Sequence, residues 1–336
     1  MLDARAQAFR ESFFAHTVAA RAGGPSAVRD WSIAGERVRV TVVGDALAGR
    51  LLPALEHLVA DPGPPDVELI AWTDTCHAGP PVELPWSAGH LGPRGGVHGL
   101  LEPPVASSAA FDGSSLVLWD AERRIASSWW RDAGALRTWD PGAPLRIALH
   151  FALRRENRML VHAACVGAAG AGVLLAGRSG SGKSTTTAAC LAAGLQAVGD
   201  DYAVLDTSAR EPRAHSIYRT VRVTPALARR TGAAEDDGRR TQLIGVDVPG
   251  TMAQSLRIVA VLVPRVVDAR RSKLAAITPA RALRAVLPST LLQAPREPHQ
   301  DIRAVADLVA SVPCFELMLG ADRGVAPIVE AVSAAR

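Results

Sequence analysis

The chain has 336 residues, of which 48% are hydrophobic and 21% charged, enough apolar content for about two globular domains. Its formal net charge of +4 is small for that length, and no basic run is interleaved with aromatics, so nucleic acid is not an expected partner. The four cysteines, Cys76, Cys165, Cys190 and Cys314, form no Cys-x2-Cys pair, which argues against structural zinc and suits a reducing cytoplasm. No stretch approaches the ~20 apolar residues of a membrane span, and Asp3, Arg5, Arg10 and Glu11 interrupt what would be the apolar core of a signal peptide.

In chain order, residues 3–21 predict an amphipathic helix carrying Phe9, Phe13 and Phe14. Arg37 to Val43 reads as a strand, Ala46 to Ala60 as a helix and Val67 to Trp72 as a second strand. Residues 79–104, rich in Gly and Pro, predict an irregular surface segment. Ser115–Trp119 and Ile125–Trp130, split by Asp120 to Arg124, predict a hairpin. All seven tryptophans lie between Trp31 and Trp139. That asymmetry marks residues 1–140 as a smaller α/β N-terminal domain, with the joint at residues 141–144 and a helix from Leu145 to Arg155 leading into a second domain over 145–336.

Met159 to Val166 then reads as a strand, and Val173 to Ala176 as a buried strand entering Gly177-Arg178-Ser179-Gly180-Ser181-Gly182-Lys183-Ser184-Thr185. This stretch fits Gly-x4-Gly-Lys-[Ser/Thr], and the alanine-rich run behind it, Thr186 to Leu195, predicts a helix. Strand, glycine loop and helix together are the setting of a phosphate-binding loop. Glycines let backbone N–H groups close around phosphate oxygens, and the helix N-terminus adds partial positive charge. Lys183 is expected to reach the β- and γ-phosphates and the Ser184 hydroxyl to hold Mg²⁺. The chain has only two lysines, Lys183 and Lys273, and one stands where the motif requires it.

Asp200 and Asp201 follow Ser184 by sixteen and seventeen residues, flanked by the apolar residues of a predicted strand, Ala197 to Leu205. A carboxylate beside a triphosphate can hold Mg²⁺ or take a proton from an attacking hydroxyl. Adjacent acids in a strand point to opposite faces and need not share one role. His162 precedes Gly177 by fifteen residues, on the neighbouring predicted strand. Further strands are predicted at His215–Val223, Leu256–Val263 and Cys314–Leu319. Helices are predicted after Thr278-Pro279, over Gln300–Ser311 and over Val325–Ala335, and a polar loop at Thr231–Thr241. That loop, with Arg219 and Arg222, is a candidate for acceptor contacts.

The combination of His162, the segment Gly172 to Ser184, and Gly199-Asp200-Asp201 resembles the catalytic core of the HPr kinase/phosphorylase family, P-loop serine kinases related in fold to the ATP-dependent phosphoenolpyruvate carboxykinases. The likeness is close across these motifs and looser over residues 145–336. Within that family the chain is most similar to the HPr-kinase-related lasso-peptide precursor kinases, through Pro144-Leu145-Arg146 and Leu160-Val161-His162-Ala163-Ala164. The resemblance implies that Asp200 is the acid/base group, that His162 supports it and that Ser184 and Asp201 hold the metal. It also implies ATP and Mg²⁺ as cofactors and a peptide or protein bearing an acceptor serine as partner, with oligomeric state left open. The chain departs from the family at Thr185, where a glutamate is usual, and at Ile217-Tyr218-Arg219-Thr220, which lacks the glutamate of a Glu-x-Arg-Gly segment. Competing expectations are a small-molecule kinase of the same fold, a carboxykinase-like enzyme and a regulatory NTPase. Asp247-Val248-Pro249-Gly250 fits a GTPase Asp-x-x-Gly, but Asn157 is the only asparagine, so no Asn-Lys-x-Asp guanine reader follows.

Overall fold

The computed structural model describes residues 4–76, 81–137, 140–222, 243–245, 251–291 and 299–334. The chain divides into two compact units with the boundary between Arg154 and Arg155.

The first unit opens with α1 (Ala4–Gly23), β1 (Ser26–Ile33), β2 (Glu36–Val43), α2 (Asp45–Leu51), a 3-10 turn over Pro53–Leu58, and β3 (Val67–Thr73). It continues with β4 (Val105–Ala109), β5 (Ser115–Asp120), β6 (Ile125–Trp130) and α3 (Arg146–Leu153). The six strands form one mixed sheet in the order β1-β2-β3-β6-β5-β4. The hairpin β5–β6 is antiparallel, while β2, β3 and β6 run parallel to one another. Parallel neighbours require a crossover; α2 and the following 3-10 turn supply the one between β2 and β3.

The predicted phenylalanine face of α1 is buried: Phe9, Phe13 and Phe14 join Ile70, Trp72, Leu116 and Leu118 in one core cluster. Within the same face Arg10 is 8% exposed, and its guanidinium binds the fully buried Asp120 carboxylate. The other Asp120 oxygen accepts from the backbone N–H groups of Glu122 and Arg123, each at 3.1 Å, and so fixes the β5–β6 turn. The buried acid is therefore paired and hydrogen-bonded, which removes most of the cost of burying it.

Two expectations change here. The helix read as Leu145–Arg155 is α3, and it packs on β5 and β6 of the first sheet instead of leading into the second unit. The joint expected at 141–144 therefore lies inside the first unit. The long helix expected over Ala46–Ala60 stops at Leu51, before Pro53, and continues only as a 3-10 turn.

The second unit contains β7 (Arg158–Val161), β8 (Ala163–Ala168), β9 (Ala171–Ala176), α4 (Lys183–Ala192), β10 (Gln196–Gly199), β11 (Ala203–Asp206), β12 (Arg213–His215) and β13 (Thr220–Arg222). After these come β14 (Leu243–Gly245), β15 (Ser255–Val266), β16 (Lys273–Ala276), α5 (Pro279–Leu291), α6 (His299–Ser311), β17 (Cys314–Leu319) and α7 (Val325–Ser333). Nine of these strands form one sheet, with the path β10-β8-β9-β15-β12-β11-β7 and with β16 and β17 attached through β15. The predicted loop at Thr231–Thr241 and the motif at Asp247–Gly250 lie outside the described residues, as does Trp139.

The strand expected over Met159–Val166 is broken at His162. β7 pairs with β11, and β8 pairs with β9 and β10. In a flat sheet β7 and β8 would lie five strand spacings apart, roughly 24 Å at about 4.8 Å each. Val161 and Ala163 are two residues apart, so their Cα atoms lie within about 7 Å. The sheet must roll until its β7 edge meets β8, with His162 at the crease. Side-chain alternation persists across the break. Met159, Val161, Ala163 and Cys165 all join the core that α5 and α6 cover through Ala282, Val286, Val305 and Leu308. A second core, under α4 and α7, gathers Ala164, Val173, Leu175, Cys190, Leu262, Leu317, Ile328 and Val332. Period-two alternation thus leaves His162 out of the first core.

Cys165 and Cys190 lie in these cores, and burial pushes both thiols up to about 12. They stay protonated at neutral pH and react poorly, since the thiolate is the nucleophile. Burial also raises Cys314, whereas Cys76 is only half-buried. A thiol reagent at pH 8 is expected to modify Cys76 in the native chain and the other three only after denaturation. Fast labelling of two or more thiols in the native chain would contradict these cores.

Candidate active site

The glycine loop is built by backbone geometry. β9 is buried along its whole length and delivers Gly177, itself buried, to the sheet edge. Gly180 and Gly182 then take φ values of 81° and 105°, conformations that L-residues rarely adopt. A Cβ at Gly182 would stand 2.4 Å from Leu319 Cδ1. The chain enters α4 from that glycine, so the helix N-terminus, beginning at Lys183, faces the loop. Lys183 is only 5% exposed; its Nζ reaches back over the loop and donates to the Gly177 carbonyl at 2.8 Å.

Further along, Ser184 and Thr185 are half-buried, while Arg178, Ser179 and Gly180 are exposed at the apex. The hydroxyls of Ser181 and Thr186 are buried without a hydrogen-bond partner among the described residues. A buried hydroxyl normally has a partner. Two such groups, in or just behind a glycine cradle at a helix N-terminus, match the donor set that phosphate oxygens require.

Strand register brings the other predicted residues to the same edge. Ala163 of β8 pairs with Ala176 of β9, so His162 lies opposite Gly177. Gly199 of β10 pairs with Cys165, which puts Asp200 and Asp201 beyond the strand end beside the start of β8. Ala203 of β11 pairs with Val161, which sets Tyr202 opposite His162. The loop, the histidine and the aspartate pair thus converge although three separate segments supply them.

The aspartates do not sit in a strand as expected. They occupy a bend between β10 and β11, so their roles cannot be divided by strand alternation. Burial separates them instead. Asp200 is 2% exposed, whereas the Asp201 side chain is 23% exposed. Gly199 makes the bend feasible, because a Cβ there would lie 2.2 Å from the Tyr202 carbonyl oxygen. Gly199→Ala is therefore expected to displace the bend, with a loss of about 1–3 kcal/mol in stability. An unchanged unfolding curve would refute this account of the bend.

His162 faces an acid, but the pairing differs from expectation: its Nε2 lies 3.6 Å from Asp201 Oδ1, so Asp201 is the carboxylate it faces. That distance is too long for a strong hydrogen bond. The ring stacks on Tyr202, with centroids 5.1 Å apart, and Tyr202 meets Tyr218 edge-on at 6.2 Å. The His162 backbone N–H donates to the buried Thr290 hydroxyl at 3.2 Å. Sequence reasoning passed over Tyr202, Tyr218 and Thr290. The available signal was scarcity, since the chain contains two tyrosines and both stand here.

A second group also went unpredicted. Glu316 on β17 receives a bidentate fork from Arg265 on β15, both contacts at 3.1 Å, and a further bond from Arg281 at the start of α5. The guanidiniums hold the Glu316 carboxyl below its usual range. β9, β15 and β17 are parallel neighbours, and a Cβ on Gly177 would lie 3.8 Å from Pro264 Cδ, so Arg265 follows directly at the edge beside the loop. Arg219, proposed for acceptor contacts, is half-buried just before β13.

No protein-family model and no curated protein matches the chain. Among solved structures it is similar to the Hpr(Ser) kinase/phosphatase from Coxiella burnetii, with 12% identity. That alignment covers 52% of this chain and 95% of the other, with a TM-score of 0.29, too low to support a functional reading. Among the described residues no helix is long and apolar enough to cross a membrane.

Proposed function

We propose that this chain is an ATP- and Mg²⁺-dependent phosphotransferase of the HPr-kinase type that phosphorylates a serine-type hydroxyl of a peptide or protein. The observation that carries this reading is the meeting of the glycine loop with Asp200, Asp201 and His162 at one sheet edge. A loop alone fits any nucleotide-binding protein; a loop facing two acids fits transfer to a hydroxyl. Lys183 and the first turn of α4 bind and orient the phosphates, and Ser184 and Asp201 supply oxygens suited to Mg²⁺. The metal, when bound, neutralises charge on the transferred group. Asp200 accepts the acceptor's proton as the new oxygen–phosphorus bond forms and the β–γ bridge bond breaks, leaving ADP.

The contact between His162 and Asp201 favours a second assignment, in which Asp201 is the base and Asp200 the metal ligand. The single variants considered in the Discussion separate the two. The four free cysteines accord with a reducing cytoplasm.

Incubation of the full chain with γ-labelled ATP and peptides encoded beside its gene tests the reading. Label on a serine of one such peptide, dependent on Mg²⁺ and lost in Lys183→Ala, is the expected result. Nucleotide binding with transfer to no hydroxyl, peptide or small-molecule, would replace the kinase reading with a regulatory one.

A further inference from the structure

The first unit contains a cavity of about 390 Å³ that the phosphotransfer reading does not use. It lies over the β4-β5-β6 part of the sheet, where the start of α3 meets it. Three arginines, Arg94, Arg137 and Arg146, line it together with one acid, Asp140. Asp112 also lies within electrostatic reach of Arg137, and Arg50 within reach of Asp140.

The cationic side of this cavity is fixed by backbone contacts. Arg94 sits in a turn clamped to β4 by the bond from Ala109 N to Gly95 O at 2.7 Å. Gly95 takes φ 79°, and a Cβ there would strike the Ala109 carbonyl at 2.3 Å, so the turn requires glycine. Arg137 is held by its own N–H, which donates to Asp140 at 2.8 Å. Arg146 is the first residue of α3, and Leu145, Arg146 and Ile147 all border the cavity, so the positive end of the helix dipole faces it. No side chain caps that helix end, and its first turn carries no acid.

The floor supplies an independent observation. Ser128, on β6, is 1% exposed and borders the cavity, and its hydroxyl is buried without a hydrogen-bond partner among the described residues. A buried hydroxyl without a partner costs free energy unless something supplied from outside bonds it. Trp130 forms an apolar wall beside it.

We infer that this cavity binds the phosphoryl group of a small phosphomonoester, at a site separate from the glycine loop. Three arginines, a helix N-terminus and a buried hydroxyl around one cavity suit the three oxygens of a phosphoryl group better than the two of a carboxylate. The Ser128 hydroxyl and the start of α3 provide donors for phosphate oxygens. A phosphate group fills only a small part of 390 Å³, so the remaining space, walled by Trp130, suits the carbon portion of an ester.

The test uses the full chain with Lys183→Ala, which silences the glycine loop, and ¹⁵N-labelled tryptophan. Of the seven indole N–H signals, Trp130 is identified by its loss in Trp130→Phe. Glycerol phosphate, inorganic phosphate and succinate are titrated separately. The expected result is a saturable shift of the Trp130 signal with phosphate compounds, tightest for the ester, and at least a tenfold weaker midpoint in Arg146→Gln, about the loss for one charge-assisted bond. A tighter response to inorganic phosphate than to the ester would assign the same site to the free ion. If Arg146→Gln does not fold, Arg137→Gln, on a turn outside the helix, replaces it with the same expectation. Ser128→Ala should weaken the midpoint without altering succinate. An unmoved Trp130 signal, an equal response to succinate, or midpoints unchanged in the arginine variants would each overturn the inference.

Discussion

Asp200→Asn is expected to lower kcat on a genuine acceptor by about 10²–10⁴-fold while ATP binding persists, the usual cost of removing a general base. The substitution keeps the side-chain shape inside a site where Asp200 is 2% exposed, so the bend between β10 and β11 should survive. Asp201→Asn provides the comparison. If Asp201 holds the metal, its variant should need more Mg²⁺ and recover part of its rate when Mg²⁺ is raised. If the two roles are exchanged, Asp201→Asn becomes the variant that excess Mg²⁺ cannot rescue. His162→Ala should follow whichever pattern Asp201→Asn shows, because the imidazole faces Asp201. Near wild-type turnover in both asparagine variants would remove general-base catalysis by this pair.

Lys183→Ala should abolish measurable binding of Mg·ATP, a loss of about 100-fold or more for a buried cation facing phosphates. The structure adds a cost before any ligand arrives. Lys183 Nζ bonds the Gly177 carbonyl, so its removal leaves the end of β9 less well satisfied and should lower the unfolding midpoint of the ligand-free chain. Wild type should be stabilised further by Mg·ATP, since a ligand that binds only the folded state raises its stability. The variant should not be. Calorimetry giving equal affinities for the two proteins would show that the nucleotide, if bound, lies elsewhere.

The glycine loop was legible because a local motif dictates it: an apolar strand, glycines at the positive-φ positions and a helix starting at the lysine. β17 was legible with its bounds unchanged for a related reason, its run of apolar residues being bounded by turn signals. What the sequence hid depended on partners distant in the chain. β1 was overlooked because Asp30 and Arg29 make Ser26–Ile33 look polar. In the fold, Asp30 stands across from Arg39 on β2 and receives its guanidinium at 2.8 Å on both oxygens. That guanidinium also holds the Asp30 carboxyl below its usual range. The apolar face of α3 announced burial but not which sheet it would cover. The fold brings the site candidates His162, Asp200 and Asp201 together, yet their setting was misread, because a crease and a bend inside apolar runs look like continuous strand. Arg265, Arg281 and Glu316 carry no local pattern at all; only the pairing of β15 with β17 and the start of α5 joins them.

The crease at His162 also sets an order on biosynthesis. The glycine loop is contiguous in sequence from β9 to α4, so the ribosome releases every part of the phosphate cradle together. The neighbouring strand β15, which supports β9 on its other side, emerges much later, and the sheet cannot roll shut until it does. Such non-local pairings form slowly. A nascent chain can therefore hold the glycine loop, His162 and the aspartate pair well before the strand that supports β9 arrives.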